Sequence, residues 1–248
     1  LLSPPQLTAG SHTRPAQDAS VDLAEVSYAY PETQTGVSRI SLRIEPGETV
    51  AIIGPSGSGK STLARLLERD VDPDTGAVAI GGTDLRTYTP QARTHSVVVT
   101  AQDPVLFAWT IRANLRLYRP DANDDEIQDA ARTAHIHHAI TALPDGYDTV
   151  LAENGEQLSG GQRQRLAIAR ALLPPAPALV FDEVTPALDV ATERAVLDAL
   201  PSATPPRSVL IIPPPDTAPA HPTPWTPPPP ATLASPVTGA PPPTQLPP

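Results

Sequence analysis

The stretch Gly54-Pro55-Ser56-Gly57-Ser58-Gly59-Lys60-Ser61-Thr62 constrains this chain most: it holds the only lysine in 248 residues, and three glycines precede it. It fits the pattern G-x-x-x-x-G-K-[ST], in which each residue type has a physical reason. The glycines let the backbone fold into a cup whose N–H groups point at phosphate oxygens. Lys60 carries a positive charge toward the β- and γ-phosphates, and the Ser61 hydroxyl can ligate Mg²⁺. A helix starting near Lys60 would set its positive dipole end under the anion. The apolar run Val50-Ala51-Ile52-Ile53 reads as a buried strand that stops where the loop begins, and Ser61 to Leu67 follows with helical spacing. The plain alternative is a glycine-rich turn between strand and helix. Gly54, Ser56, Gly57, Ser58, Gly59, Lys60, Ser61 and Thr62 are therefore candidate nucleotide-binding residues for a nucleoside triphosphate.

The length suits one sizeable domain, or a domain with extensions. A formal charge of −10 argues against general binding to nucleic acid or anionic membranes. Without cysteine there is no disulfide or thiolate metal site. No apolar run reaches the ~18–20 residues that cross a bilayer, so a membrane role needs a partner or a further segment. Methionine is missing even at position 1, which points to a fragment or an unusual start.

Residues 1–19 are rich in Pro, Ser, Thr and Gln without periodicity and read as a linker. From Val21 to Ile212, short apolar strands alternate with longer helical stretches, as in a mostly parallel α/β sheet. Strands are expected at Val21–Tyr30, Val37–Ile44, Thr49–Ile53, Ala77–Ile80, His95–Thr100, Ala178–Phe181 and Ser208–Ile212, with helix over Ile111–Leu143 and Gly161–Leu173. Beyond Ile212 the character changes: 16 of the last 36 residues are proline, which predicts a disordered or polyproline-II-like tail over 213–248.

Leu158-Ser159-Gly160-Gly161-Gln162 opens one of these helical stretches, where a serine and two glycines form a second backbone-amide anion site. The apolar run Ala178-Leu179-Val180-Phe181 ends in Asp182-Glu183. A carboxylate at the end of a buried strand near a phosphate loop can hold Mg²⁺, and the adjacent Glu183 could orient or deprotonate an attacking water. Two solvated carboxylates at a strand end are the alternative for that pair alone. With the three motifs in this order, the chain resembles the ATP-binding cassette of ABC transporters over about Val21 to Ile212.

The resemblance implies a P-loop NTPase core with a mostly parallel sheet, an antiparallel β subdomain, and an α-helical subdomain over about 104–172 of a domain spanning 20–212. It implies ATP and Mg²⁺ as cofactors. Tyr30, in Val26-Ser27-Tyr28-Ala29-Tyr30-Pro31, would stack on adenine; read alone, it is a strand aromatic. Gln102 would attend the metal and the attacking water with Ser61 and Asp182, and Glu183 would be the catalytic base. Leu158, Ser159, Gly160, Gly161 and Gln162 would act in trans on the ATP of a second cassette. Asp189 would sit in the loop at that dimer interface, where Pro186 stands in place of the usual serine. Phe107 to Leu115, Leu143 to Thr149 and Ala152-Glu153-Asn154-Gly155-Glu156 are similar to exporter-type cassettes. A transmembrane domain would then be a partner, the cassette would lie at the cytoplasmic face of the membrane, and no nucleic acid is expected. Trp109, where the family has a small residue, would pack on the membrane partner or fill a local groove. His135, His137 and His138 read as a solvated helix face rather than metal ligands.

The pattern breaks after Ile212. The family's switch histidine, which contacts the γ-phosphate, falls where Pro213, Pro214 and Pro215 stand, and no histidine occurs until His221. Proline has no donor, and losing one preorganised donor costs about 10²–10³ in rate. ATP binding should survive better than hydrolysis. The tail is expected to be either an out-of-frame C-terminus or a Pro-rich segment that recruits an SH3-like partner. Three functions follow: an exporter's ATP-hydrolysing domain, a catalytically impaired ATP-binding module, or a soluble ABC ATPase acting on nucleic acid or ribosomes.

Overall fold

The computed structural model describes residues 7–33, 35–54, 56–101, 103–183 and 206–213. Two four-stranded sheets organise them. One is antiparallel in the order β2-β1-β4-β5, formed by Val21–Ala29 (β1), Gly36–Ile44 (β2), Thr75–Ile80 (β4) and Thr83–Asp84 (β5). The other runs β3-β8-β7-β6, its neighbours all parallel: Thr49–Ala51 (β3), Val97–Thr100 (β6), Ala178–Asp182 (β7) and Ser208–Ile212 (β8). The helices are α1 (Lys60–Glu68), α2 (Pro90–Thr94), α3 (Ile111–Leu115), α4 (Asp124–Thr133), α5 (His137–Thr141) and α6 (Gly160–Leu172). The expected strands all form, within a few residues at their ends. Among the described residues no helix is long and apolar enough to cross a membrane.

The apolar runs of β7 and β8 are explained by burial on both faces. Alternate residues point opposite ways along a strand. Ala178, Val180, Leu210 and Ile212 accordingly join one core, built with β1, β2, β4 and the Leu63, Leu66 and Leu67 face of α1. Leu179, Phe181, Val209 and Ile211 join a second core, with Ile111, Leu115, Ile127 and the Leu166 face of α6. The parallel sheet is the wall between them. In the antiparallel sheet, β1 and β2 are in register from Val21 opposite Ile44 to Ala29 opposite Gly36, with irregularities near Glu25 and Arg39, both at φ 48°.

The helix expected over Ile111–Leu143 is broken into three. After α3 a 3₁₀ turn covers Arg116–Tyr118, and Pro120 disfavours helical backbone at Arg119. The chain restarts at Asn123, whose side chain accepts from the Glu126 N–H while Glu126 accepts from the Asn123 N–H. A second break falls at His135, at φ 53°. His135 is therefore outside any helix, and it does not share a helical face with His138 as expected. His137 Nδ1 instead lies 2.8 Å from the Tyr147 hydroxyl. Among the described residues no group of three or more His, Cys, Asp and Glu is arranged to hold a metal.

Residues 1–19 were expected to be a linker, yet the described part from 7 onward lies along the domain. Gly10 N–H donates to the Tyr88 carbonyl, His12 N–H to Thr87, Thr89 N–H to His12, and Ala16 N–H to the Ser96 hydroxyl. The buried Arg69 donates to the Thr8 carbonyl at 2.7 Å. Gly10 makes this approach possible, since a Cβ there would lie 1.9 Å from the Thr87 carbonyl oxygen. Because that oxygen is backbone, Gly10→Ala should lift the strap and lower stability by ~1–3 kcal/mol, a drop of several degrees in the melting temperature. An unchanged melting temperature would show that the strap contributes nothing.

Candidate functional site

The phosphate loop and the Asp182-Glu183 pair lie at the carboxyl ends of the parallel strands β3 and β7. Beyond β3 the pairing with β8 persists through Ile52 N–H to the Ile211 carbonyl, at 2.8 Å, and the chain then turns through Gly54 to Gly59 into α1. Gly57 and Gly59 have φ of 78° and 92°, left-handed values that a side chain resists. Gly59 is also sterically required, because a Cβ would lie 2.6 Å from Val37 Cγ1. Lys60 is buried, and its Nζ donates to the Gly54 carbonyl at 2.6 Å, closing the cup across its mouth. Ser58 Oγ is buried with no hydrogen-bond partner among the described residues. Ser61 is exposed and Thr62 buried.

Asp182, the last residue of β7, has its Oδ1 buried without a hydrogen-bond partner among the described residues. Burial pushes its carboxyl up to about 6; the neighbouring Glu183 pushes the same way, and Lys60 opposes both. Lys60 and the Asp182-Glu183 pair thus belong to one electrostatic site. A buried carboxylate oxygen without a donor among the described residues, coupled electrostatically to the lysine of the cup, suits a cation shared with phosphate oxygens. Glu183 adopts φ 49° and donates its N–H to the Ile212 carbonyl at 2.8 Å, so the end of β8 holds its backbone. Pro213 follows directly and is buried.

Tyr30, just past β1, is half-buried. Its hydroxyl accepts from Arg65 Nη1 at 3.2 Å and lies 3.5 Å from Thr62 Oγ1, so the expected base platform rests on the phosphate-loop helix. Leu158 is buried, and Ser159 caps α6: its hydroxyl accepts from the Gln162 N–H at 3.2 Å while Gln162 Oε1 accepts from the Ser159 N–H at 2.8 Å. Ser159 and Gly160 are exposed, and a Cβ on Gly160 would meet nothing within 4 Å. This run heads α6, which packs on α3, α4 and β6, whereas the phosphate loop heads α1. Gln102 and Asp189 lie outside the described residues.

Sequence reasoning missed two supporting residues. Arg65 supports the Tyr30 hydroxyl. Asn114 is fully buried; its Oδ1 accepts from Phe107 N–H and its Nδ2 donates to the Phe107 and Thr110 carbonyls at 3.0 and 3.1 Å. It shapes the loop carrying Phe107 and Trp109, whose rings stack at 4.5 Å. Trp109 stays 47% exposed and Val105 57%. Beside them lies a cavity of about 190 Å³ lined by Glu68, Thr100, Asp103, Phe107, Tyr118 and Arg170, among others. An asparagine inside an apolar helical run was the available signal.

The family described as ABC transporter matches residues 37–186. The chain is 45% identical over 217 residues to the mitochondrial potassium channel ATP-binding subunit of Rattus norvegicus, covering 85% of this chain and 30% of that protein. It is 46% identical over 187 residues to the Beta-(1→2)glucan export ATP-binding/permease protein NdvA of Brucella abortus, covering 75% of this chain and 31% of that one. A solved structure of a bacterial Atm1-family ABC exporter with ATP bound superposes with a TM-score of 0.76 at 39% identity, over 83% of this chain and 36% of that chain. The chain therefore spans about a third of the length of these curated relatives.

The Asp182 carboxyl supplies a pH test. Its folded value of about 6 lies above the ordinary carboxylate value near ~3.9, so the folded state keeps a proton that the unfolded chain releases. Stability contributed at this residue falls as pH climbs from ~4 to ~6 and is flat above. The stability advantage of Asp182→Asn over the parent should grow across that window, reaching ~1 kcal/mol after solvent screening. Denaturant unfolding at several pH values measures it; a difference independent of pH would contradict the burial of this carboxylate.

Proposed function

The chain belongs to the ABC transporter family, and from that premise we propose that it is the ATP-binding and ATP-hydrolysing module of an exporter, driving transport by a membrane domain. The observation that carries this is the electrostatic coupling of Lys60, in its glycine-rich cup, to Asp182, whose Oδ1 has no donor among the described residues. In this reading the triphosphate lies on the backbone N–H groups from Ser56 to Ser61, above the N-terminus of α1. Lys60 leaves the Gly54 carbonyl for the β- and γ-phosphates, and Ser58 gains an acceptor for its hydroxyl. Ser61 and Asp182 would hold Mg²⁺, with Gln102 beside them as the resemblance implies. The ion supplies neutralisation of phosphate charge when bound.

Glu183 then orients the attacking water and takes its proton, its backbone pinned by β8. Ser159 in the second copy already accepts one bond and keeps its own proton to donate to the γ-phosphate. The bare backbone at Gly160 lets that phosphate approach, and α6 aims its positive end at it. We place the membrane domain against the cleft lined by Val105, Phe107 and Arg170, with Trp109 stacked on Phe107 beside it, which would hold the chain at the cytoplasmic face. With Pro213 buried where the resemblance puts a γ-phosphate contact, turnover is expected to be slow while binding is intact.

Release of phosphate from ATP, measured beside equilibrium ATP binding, tests the assignment. Glu183→Gln should keep ATP affinity and lower release ~10²-fold or more. Unchanged turnover in that variant would reject Glu183 as the base.

A further inference from the structure

The ring assigned to the base does not stand free. Tyr30 is tied at its backbone, N–H to the Thr35 carbonyl at 2.8 Å, and its ring meets Tyr28 edge-on at 5.1 Å. The rest of its support comes from α1. The Arg65 guanidinium carbon lies 5.4 Å from the ring centroid, and its Nη1 donates to the hydroxyl at 3.2 Å. Thr62 and Arg65 are three residues apart, on one face of the helix that opens with Lys60. Arg65 is itself steadied from behind: its Nε pairs with Asp70 Oδ2 at 3.1 Å, and the Asp70 N–H donates to the Arg65 carbonyl. At 43% and 57% side-chain exposure, that ion pair contributes little stability of its own. Its geometric effect is to aim the guanidinium at Tyr30.

We infer that Arg65 is a positioning residue for nucleotide base recognition, fixing the Tyr30 ring to the phosphate-loop helix so that base and phosphate subsites keep one spacing. The inference rests on the reading of Tyr30 as the base platform. A planar guanidinium can both donate to the hydroxyl and lie over the ring, which an ammonium cannot do. Without Arg65 the ring must be ordered on binding, a cost that weakens affinity about 2- to 10-fold. That loss should fall on ligands with a base and spare ligands without one.

Equilibrium titrations with ATP and with inorganic tripolyphosphate separate the possibilities. Arg65→Ala should weaken ATP about 2- to 10-fold and leave tripolyphosphate within about twofold, with Arg65→Lys recovering only part of the loss. Tyr30→Phe keeps the ring and removes the acceptor, so adding it to Arg65→Ala should cost little more. An equal loss for ATP and tripolyphosphate would overturn the inference, since it marks general damage to α1. So would unchanged ATP binding in Arg65→Ala when Tyr30→Ala weakens it. Unchanged ATP binding in Tyr30→Ala would remove the base-platform reading itself, and the Arg65 role with it.

Discussion

The chemistry of this chain depends on a parallel sheet buried on both faces. β7 and β8 send alternate side chains into two separate cores, so neither strand can slip by one residue without turning both cores inside out. That lock places the carboxyl ends of β3, β7 and β8 side by side, with Asp182 opposite Ile212 and the phosphate loop leaving from β3. Open α/β sheets gather ligands at this edge because loops and helix starts converge there. The cup around Lys60 and the Asp182-Glu183 pair are neighbours for this reason.

Assembly at that edge leaves charges and polar atoms under-solvated. Asp182 carries the cost most visibly, its carboxyl pushed up by burial with one oxygen lacking a donor among the described residues. Lys60, also buried, spends a hydrogen bond on the Gly54 carbonyl. Groups left in this condition gain when a polyanion and its cation arrive, because ligand contacts replace water already lost on folding. The exposed start of α6 is different: Ser159 and Gln162 satisfy each other and leave an open backbone surface at Gly160. One site is deep and under-solvated, the other shallow with its side chains satisfied.

Much of this was legible in the sequence because it rests on local rules. Glycines at positive φ, a lysine behind them, apolar runs buried on both faces and an Asp-Glu at a strand end all write themselves in consecutive residues. What escaped depends on contacts across long separations. Gly10 looks like a linker glycine until Thr87 is placed against it. Arg65 looks like a solvated helix residue until Tyr30, 35 positions earlier, folds onto it. The break at His135 carries no proline or glycine to announce it. Gln102 and Asp189 are named from resemblance and stay at that level.

The central claim is that the lone lysine completes a triphosphate site in this chain. Calorimetric titration of ATP with Mg²⁺ into the parent and into Lys60→Ala tests it most directly. The expected result is saturable binding of one ATP per chain, weakened at least ~10-fold by the substitution through loss of a charged hydrogen bond. Equal affinity in the two proteins, or no saturable binding in the parent, would contradict it.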